Sequence, residues 1–98
     1  MKVTVTREDI AIGQRDSIVS CPIARALKRS LAKLVTDQGM PPMLIDVRVW
    51  ATFWYVPGGP RASLPASAQQ FINDFDLGRP VTPFSFTIPS QRKETDHA

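Results

Sequence analysis

One cysteine, Cys21, and one histidine, His97, are all that the 98 residues offer of those two metal-binding and nucleophilic types. A lone cysteine excludes an intramolecular disulfide framework, and the penultimate His97 cannot complete a Cys/His zinc set with it, so neither a metal nor a cofactor is expected. Long apolar runs are lacking too. No stretch approaches the ~18 apolar residues that cross a bilayer. Met1-Lys2-Val3-Thr4-Val5 has no apolar core of a secretory signal behind its charged start. A cytoplasmic protein that makes no use of a membrane is the expectation. The chain has no internal repeat, which argues against a solenoid. It also lacks Gly-x-x-x-x-Gly-Lys-Ser/Thr and Gly-x-Gly-x-x-Gly, so phosphate-loop chemistry has no support.

What is present suits one domain. Hydrophobic residues make up 43% of the chain, and a domain of this size can bury somewhat over ~60% of its unfolded surface with such a composition. Twelve Lys and Arg against nine Asp and Glu leave a net charge of +3, a mild bias towards anionic partners.

Lys2 to Thr6 alternates polar and β-branched residues, which predicts a first strand with Val3 and Val5 inward. Thr6-Arg7-Glu8-Asp9 has the form of a capping box, opening a helix of about one turn that ends at Gly13. Cys21-Pro22 marks the start of the main helix, because proline is tolerated at the first helical position. Ile23, Leu27, Leu31, Leu34 and Val35 form its apolar stripe; Arg25, Lys28, Arg29 and Lys33 form a basic outer face. Gly39 ends it, and Met40-Pro41-Pro42 reads as a linker. Leu44 to Val56 is rich in β-branched and aromatic residues but too long for one strand, so a bend or hairpin is expected near Ala51-Thr52. Unbroken alternation would put Ile45, Val47, Val49, Ala51, Phe53 and Tyr55 on one face and Asp46, Arg48, Trp50, Thr52 and Trp54 on the other. Pro57-Gly58-Gly59-Pro60 is a loop. Pro65 opens a second helix with Ala68, Phe71, Ile72 and Phe75 inward and Gly78 as its stop. Val81 to Ile88 is a final strand, with Pro83 placing its start at a sheet edge.

The implied class is α+β: a small mixed or antiparallel sheet of three or four strands with two main helices packed on one face. Residues 1–90 would form this single domain, and 91–98 a polar, disordered tail.

Two surfaces stand out as candidate binding sites. Arg25, Lys28, Arg29 and Lys33 would let the main helix track phosphates, against the plainer reading of a solvated helix face. Arg48, Trp50 and Trp54 would present two indoles beside a guanidinium. Their cover would be the protein's own loop, a second subunit in a homodimer, a protein partner or a stacked nucleobase. Catalytic sets are weak by comparison. Cys21 sits at a helix start, where a thiol can be activated, but it has no base, so packing or capping is the favoured role. Asp74 and Asp76 lie two apart on a helix and do not face each other. Arg61 is a single arginine in a loop.

Cys21-Pro22-Ile23-Ala24-Arg25-Ala26-Leu27, Leu64-Pro65, Phe71-Ile72-x-x-Phe75-Asp76-x-Gly78 and Pro83-Phe84-x-Phe86 together resemble a family of small uncharacterised bacteriophage and prophage proteins. The resemblance spans most of the chain and implies a phage context without an activity. Its residues fall on core stripes and helix ends; the Trp-rich strand and the Pro57–Pro60 loop lie outside it. The expected function is a non-enzymatic accessory protein that antagonises host defence by masking a host protein or sequestering an anionic small molecule. The alternative is a nucleic-acid-binding protein that uses the basic helix.

Overall fold

The computed structural model describes residues 1–39 and 45–88. The Met40-Pro41-Pro42 linker and the tail from Gln91 lie outside these residues. Among them, three helices and five strands follow one another as β1 (Lys2–Val5), α1 (Arg7–Ile12), α2 (Pro22–Asp37), β2 (Arg48–Val49), β3 (Phe53–Tyr55), β4 (Ala62–Ser63), α3 (Ala66–Asp76) and β5 (Phe84–Thr87). The α+β class and the antiparallel pairing are as the sequence implies. The strands, however, divide between two sheets, β1-β5 and β2-β3-β4, instead of forming one.

The first sheet joins the two ends of the described chain. Val3 lies opposite Phe86 and Val5 opposite Phe84, and the Met1 and Ile88 backbones exchange two hydrogen bonds of 2.8 Å. Alternation then turns the Lys2 and Thr4 carbonyls to the outer edge of β1. Helix α2 meets that edge with side chains: Arg29 donates to the Thr4 carbonyl at 2.8 Å and the Ser30 hydroxyl to that of Lys2 at 3.5 Å. A strand edge is thereby covered by a helix, which removes a template for unwanted pairing.

The second sheet is a local meander. The Trp50 N–H donates to the Phe53 carbonyl at 2.8 Å, closing a two-residue turn at Ala51-Thr52 where the sequence predicts a bend. Val49 then pairs with Trp54, and Arg48 with Tyr55. The loop after β3 turns at Pro57-Gly58, where the Gly59 N–H reaches the Val56 carbonyl at 2.8 Å and Gly58 has φ of +91°. That is the proline-then-glycine order a type II turn needs. The chain returns as β4, a strand not foreseen from the sequence, with Ser63 opposite Phe53 and Ala62 opposite Trp54.

One continuous apolar core joins these parts. Val3, Val5, Ile23, Leu27, Val47, Val49, Trp54, Ala68, Phe71, Ile72, Phe86 and Ile88 are all buried in it. Phe71 stacks on Phe84 at 5.0 Å and Phe84 on Phe86 at 5.6 Å, which ties α3 to β5. The predicted α2 stripe holds only in its first half. Ile23 and Leu27 are fully buried, Leu31 packs at the margin, and Leu34 is 44% exposed.

Gly13 ends α1, as predicted, but not through a left-handed conformation, since its φ is −60°. Its role is close approach. A Cβ here would lie 2.6 Å from the Asp9 carbonyl oxygen and 2.7 Å from Pro22 Cδ. The proline that opens α2 is thus packed directly onto the end of α1. Gly13→Ala is expected to cost about 1–3 kcal/mol through this overpacking, measurable as a lowered midpoint in urea unfolding with an unchanged slope.

Candidate functional site

The basic face of α2 is built around a buried carboxylate. Asp9 is the third residue of α1 and closes the capping box with Thr6: the Thr6 N–H donates to its carboxylate at 2.9 Å, and its own N–H donates to the Thr6 hydroxyl at 3.2 Å. Its side chain is fully buried. Arg25 Nε donates to it at 3.3 Å, and Arg29 grips both oxygens at 3.0 and 2.6 Å. The other two cations are engaged as well. Lys28 Nζ donates to the Val19 carbonyl at 2.7 Å, and Lys33 pairs with Asp37 one turn along at 3.0 Å. The phosphate-tracking stripe expected from Arg25, Lys28, Arg29 and Lys33 is therefore not a free one. Amphipathic spacing correctly put these residues on one side of the helix, but the carboxylate that claims two of them comes from another helix.

The Arg48, Trp50 and Trp54 face needs a correction. Trp54 is only 6% exposed and belongs to the core, whereas Trp50 is 43% exposed. The reason is the turn. In a hairpin with a two-residue loop, partners carry numbers of opposite parity, so a face that holds even positions before the turn holds odd positions after it. Val49 and Trp54 consequently share the inner face. Arg48, Trp50, Phe53, Tyr55 and Ser63 share the outer one. Phe53 and Tyr55, which unbroken alternation places with Val47 and Val49, are the candidate-site residues that reading misses, although applying the hairpin rule at Ala51-Thr52 would have found them.

On this outer face three rings cluster, Trp50 across the hairpin from Phe53 and Tyr55 two residues along β3. Trp50 and Phe53 have centroids 6.1 Å apart with planes inclined by 21°, and Phe53 and Tyr55 are 6.2 Å apart and inclined by 19°. Arg61, from the residue before β4, holds its guanidinium carbon 4.7 Å from the Phe53 centroid, a favourable cation–π arrangement. Dismissed as a loop residue in the sequence, it is carried there by the Gly58 turn and has no carboxylate partner among the described residues. Arg48 lies opposite Tyr55 in the register and is held by Asp46 through two hydrogen bonds, at 3.2 and 2.9 Å. Arg48 keeps the exposed Asp46 carboxyl below its ordinary value, and Asp46 raises Arg48 in return. The cluster thus has one guanidinium over its Phe53 ring and a second, paired with Asp46, beside Tyr55. On the opposite face, Trp54 Nε1 is buried with no acceptor among the described residues.

Cys21 caps α2. Its Sγ accepts the Ala24 N–H at 3.4 Å, and the side chain is buried in the core. Burial raises the thiol above its ordinary pKa despite the helix-start hydrogen bonds. This environment opposes a thiolate nucleophile and fits the capping role. Asp74 and Asp76 also do structural work: Asp76 accepts the Asp16 N–H at 3.0 Å, and Asp74 pairs with Arg79 at 3.2 Å. No helix among the described residues is long and apolar enough to cross a membrane.

No family model, curated protein or solved structure matches this chain.

Two outcomes follow from the buried groups. Desolvation pushes the Asp9 carboxyl up, but hydrogen bonds from Arg29 and Thr6 and the Arg29 charge outweigh it, and the net pKa lies below 3.8. A carboxyl depressed in the folded state stabilises the fold above its unfolded pKa, and this contribution is lost as pH falls through the folded value. Stability measured by denaturant midpoint should therefore drop below about pH 4. Asp9→Asn should lower stability by about 2 kcal/mol at pH 7 and flatten the acid limb; the cost is moderated because both arginines can rehydrate. Cys21, for its part, should resist iodoacetamide in the native protein at pH 7.5 and react at a free-thiol rate once the chain is unfolded in guanidinium.

Proposed function

We propose that this protein is a non-enzymatic binding protein that captures an anionic, ring-bearing ligand on the outer face of the β2-β3-β4 sheet. The observation that carries this reading is the cluster of Trp50, Phe53 and Tyr55 with the Arg61 guanidinium seated over Phe53. An indole 43% exposed beside that cation leaves apolar surface that a flat ligand would remove from water. Arg61 supplies a charge already held in place, so binding an anion there costs little side-chain ordering. This moves the anion-binding role from the helix, where Asp9 and Asp37 engage three of the four cations, to the sheet. In the phage setting implied by the residue pattern, such capture would withdraw an anionic host signal. The deeply buried, raised-pKa Cys21 and the structurally engaged carboxylates support a binding role over a catalytic one.

The test uses Trp54→Phe, which leaves Trp50 as the sole tryptophan and also removes the unpartnered indole N–H from the core. Adenosine triphosphate and a short single-stranded oligonucleotide are titrated separately into this protein at 50 mM salt. Quenching of Trp50 by either probe, weakened at least tenfold by Arg61→Ala, is the expected result. Unchanged emission with both probes, or quenching indifferent to Arg61, would overturn the reading.

A further inference from the structure

The engaged α2 cations do not form a charged stripe along the helix, but two of them meet at a pocket beside its first turns. The geometry points to this pocket as a second site, one that takes a small phosphomonoester. Its phosphoryl group would sit between Arg25 and Lys28 and its short organic part against Ile12. The site shares no residue with the aromatic cluster on the sheet.

A cavity of about 330 Å³ opens between the end of α1, residues 14–20 and the first turns of α2, lined by Ile12, Gln14, Val19, Ser20, Arg25 and Lys28. That volume is at the small end of the ~300–1,000 Å³ typical of small-molecule pockets. The loop wall is fixed before any ligand arrives. The Gln14 N–H donates to the Ser20 carbonyl at 2.9 Å and the Val49 N–H to the Ile18 carbonyl at 2.7 Å, while the Asp16 N–H donates to Asp76 at 3.0 Å. These bonds tie the segment to itself, to β2 and to α3, so little ordering remains to oppose binding.

The charges around the cavity are unbalanced. Two cations line it, and no Asp or Glu does. Asp9 carries one negative charge for two guanidinium groups. Arg29 grips both its oxygens, whereas Arg25 reaches it through Nε alone, at 3.3 Å. The terminal Nη groups of Arg25 have no hydrogen-bond partner among the described residues. Lys28 gives one of its donors to the neutral Val19 carbonyl, which leaves its charge unanswered. Asp46 is close enough to feel that charge, but it is bound to Arg48 and does not line the cavity. Residues three apart on a helix are neighbours, with Cβ atoms ~5–6 Å apart, and like charges so placed repel. Asp9 relieves this repulsion between Arg25 and Arg29; an anion in the cavity would relieve it between Arg25 and Lys28.

The donor set selects the anion. A guanidinium fork takes two oxygens of one group side by side, and the Lys28 ammonium can reach a third. A phosphomonoester offers three such oxygens and a charge of about −1.5 to −2 at pH 7. A carboxylate offers two oxygens and one charge, which would leave one of the cations unmatched. Ile12, 55% exposed, gives an organic part of the ligand an apolar contact that inorganic phosphate cannot use.

The experiment follows amide shifts by two-dimensional NMR as the full chain is titrated with mono-n-butyl phosphate, inorganic phosphate or pentanoate at pH 7.5 and 50 mM salt. The probes carry no ring and so make no use of the aromatic cluster. Butyl phosphate should shift the Gln14, Ser20 and Lys28 amides and bind about tenfold more tightly than either other probe. Lys28→Gln, which keeps a donor for the Val19 carbonyl, should weaken it about tenfold. Ile12→Glu, at an exposed position, places a carboxylate at the cavity and should abolish it, whereas Arg61→Ala should leave it unchanged. Equal affinity for pentanoate or for inorganic phosphate would overturn the inference, since the phosphoryl group or the organic part would then go unread. Binding lost in Arg61→Ala but kept in Lys28→Gln would overturn it by placing the anion on the sheet. No shift with any probe would overturn it too, and would leave capture of a ring-bearing ligand on the sheet as it stands.

Discussion

The Asp9 carboxylate is the point on which the described architecture turns. It is fully buried, and a charge in that position must be paired on every side or the fold does not tolerate it. Its partners are the Thr6 backbone, which starts α1, and Arg25 and Arg29, which lie one turn apart on α2. The Arg29 guanidinium then reaches on to the Thr4 carbonyl. A single side chain therefore connects the end of β1, the cap of α1, the first half of α2 and the outer edge of the first sheet. Gly13 and Pro22 complete the same corner by packing the end of α1 against the start of α2 with no room for a Cβ.

With that corner fixed, the division of labour between the two sheets becomes intelligible. The β1-β5 sheet is held by residues far apart in the chain, is covered by α2 on its outer edge and contributes Val3, Val5 and Phe86 to the core. The β2-β3-β4 meander is assembled from neighbours and gives the core one face, through Val49 and Trp54. Its other face carries the rings. Such a local element can vary its outer surface without disturbing the Asp9 corner, because the two share few residues.

The α2 cations illustrate how local patterning and tertiary structure answer different questions. Their spacing required one helix face, and one helix face is what they occupy. Whether such a face is open to a ligand depends on which acceptors the rest of the chain brings to it, and Asp9, Val19 and Asp37 reach three different parts of it. Arg61 is the converse case, a residue in a loop of no evident pattern that the Gly58 turn delivers onto an aromatic ring.

The sequence by itself determined the features that depend on near neighbours: the Thr6 capping box, Cys21-Pro22 as a helix start, Gly78 as a helix stop, the turns at Ala51-Thr52 and Pro57-Gly58, and hence an α+β chain. Those signals act through backbone bonds and φ preferences within a few residues, so they are legible in a short window. Only the tertiary structure decided which cations stay free, that the strands split between two sheets, and that Phe53 and Tyr55 join Trp50 while Trp54 leaves it. The last depends on a one-residue change of phase at the hairpin, which alternation along a single strand does not contain. The others depend on partners such as Asp9 and Arg29, twenty positions apart, whose meeting is set by how the helices pack.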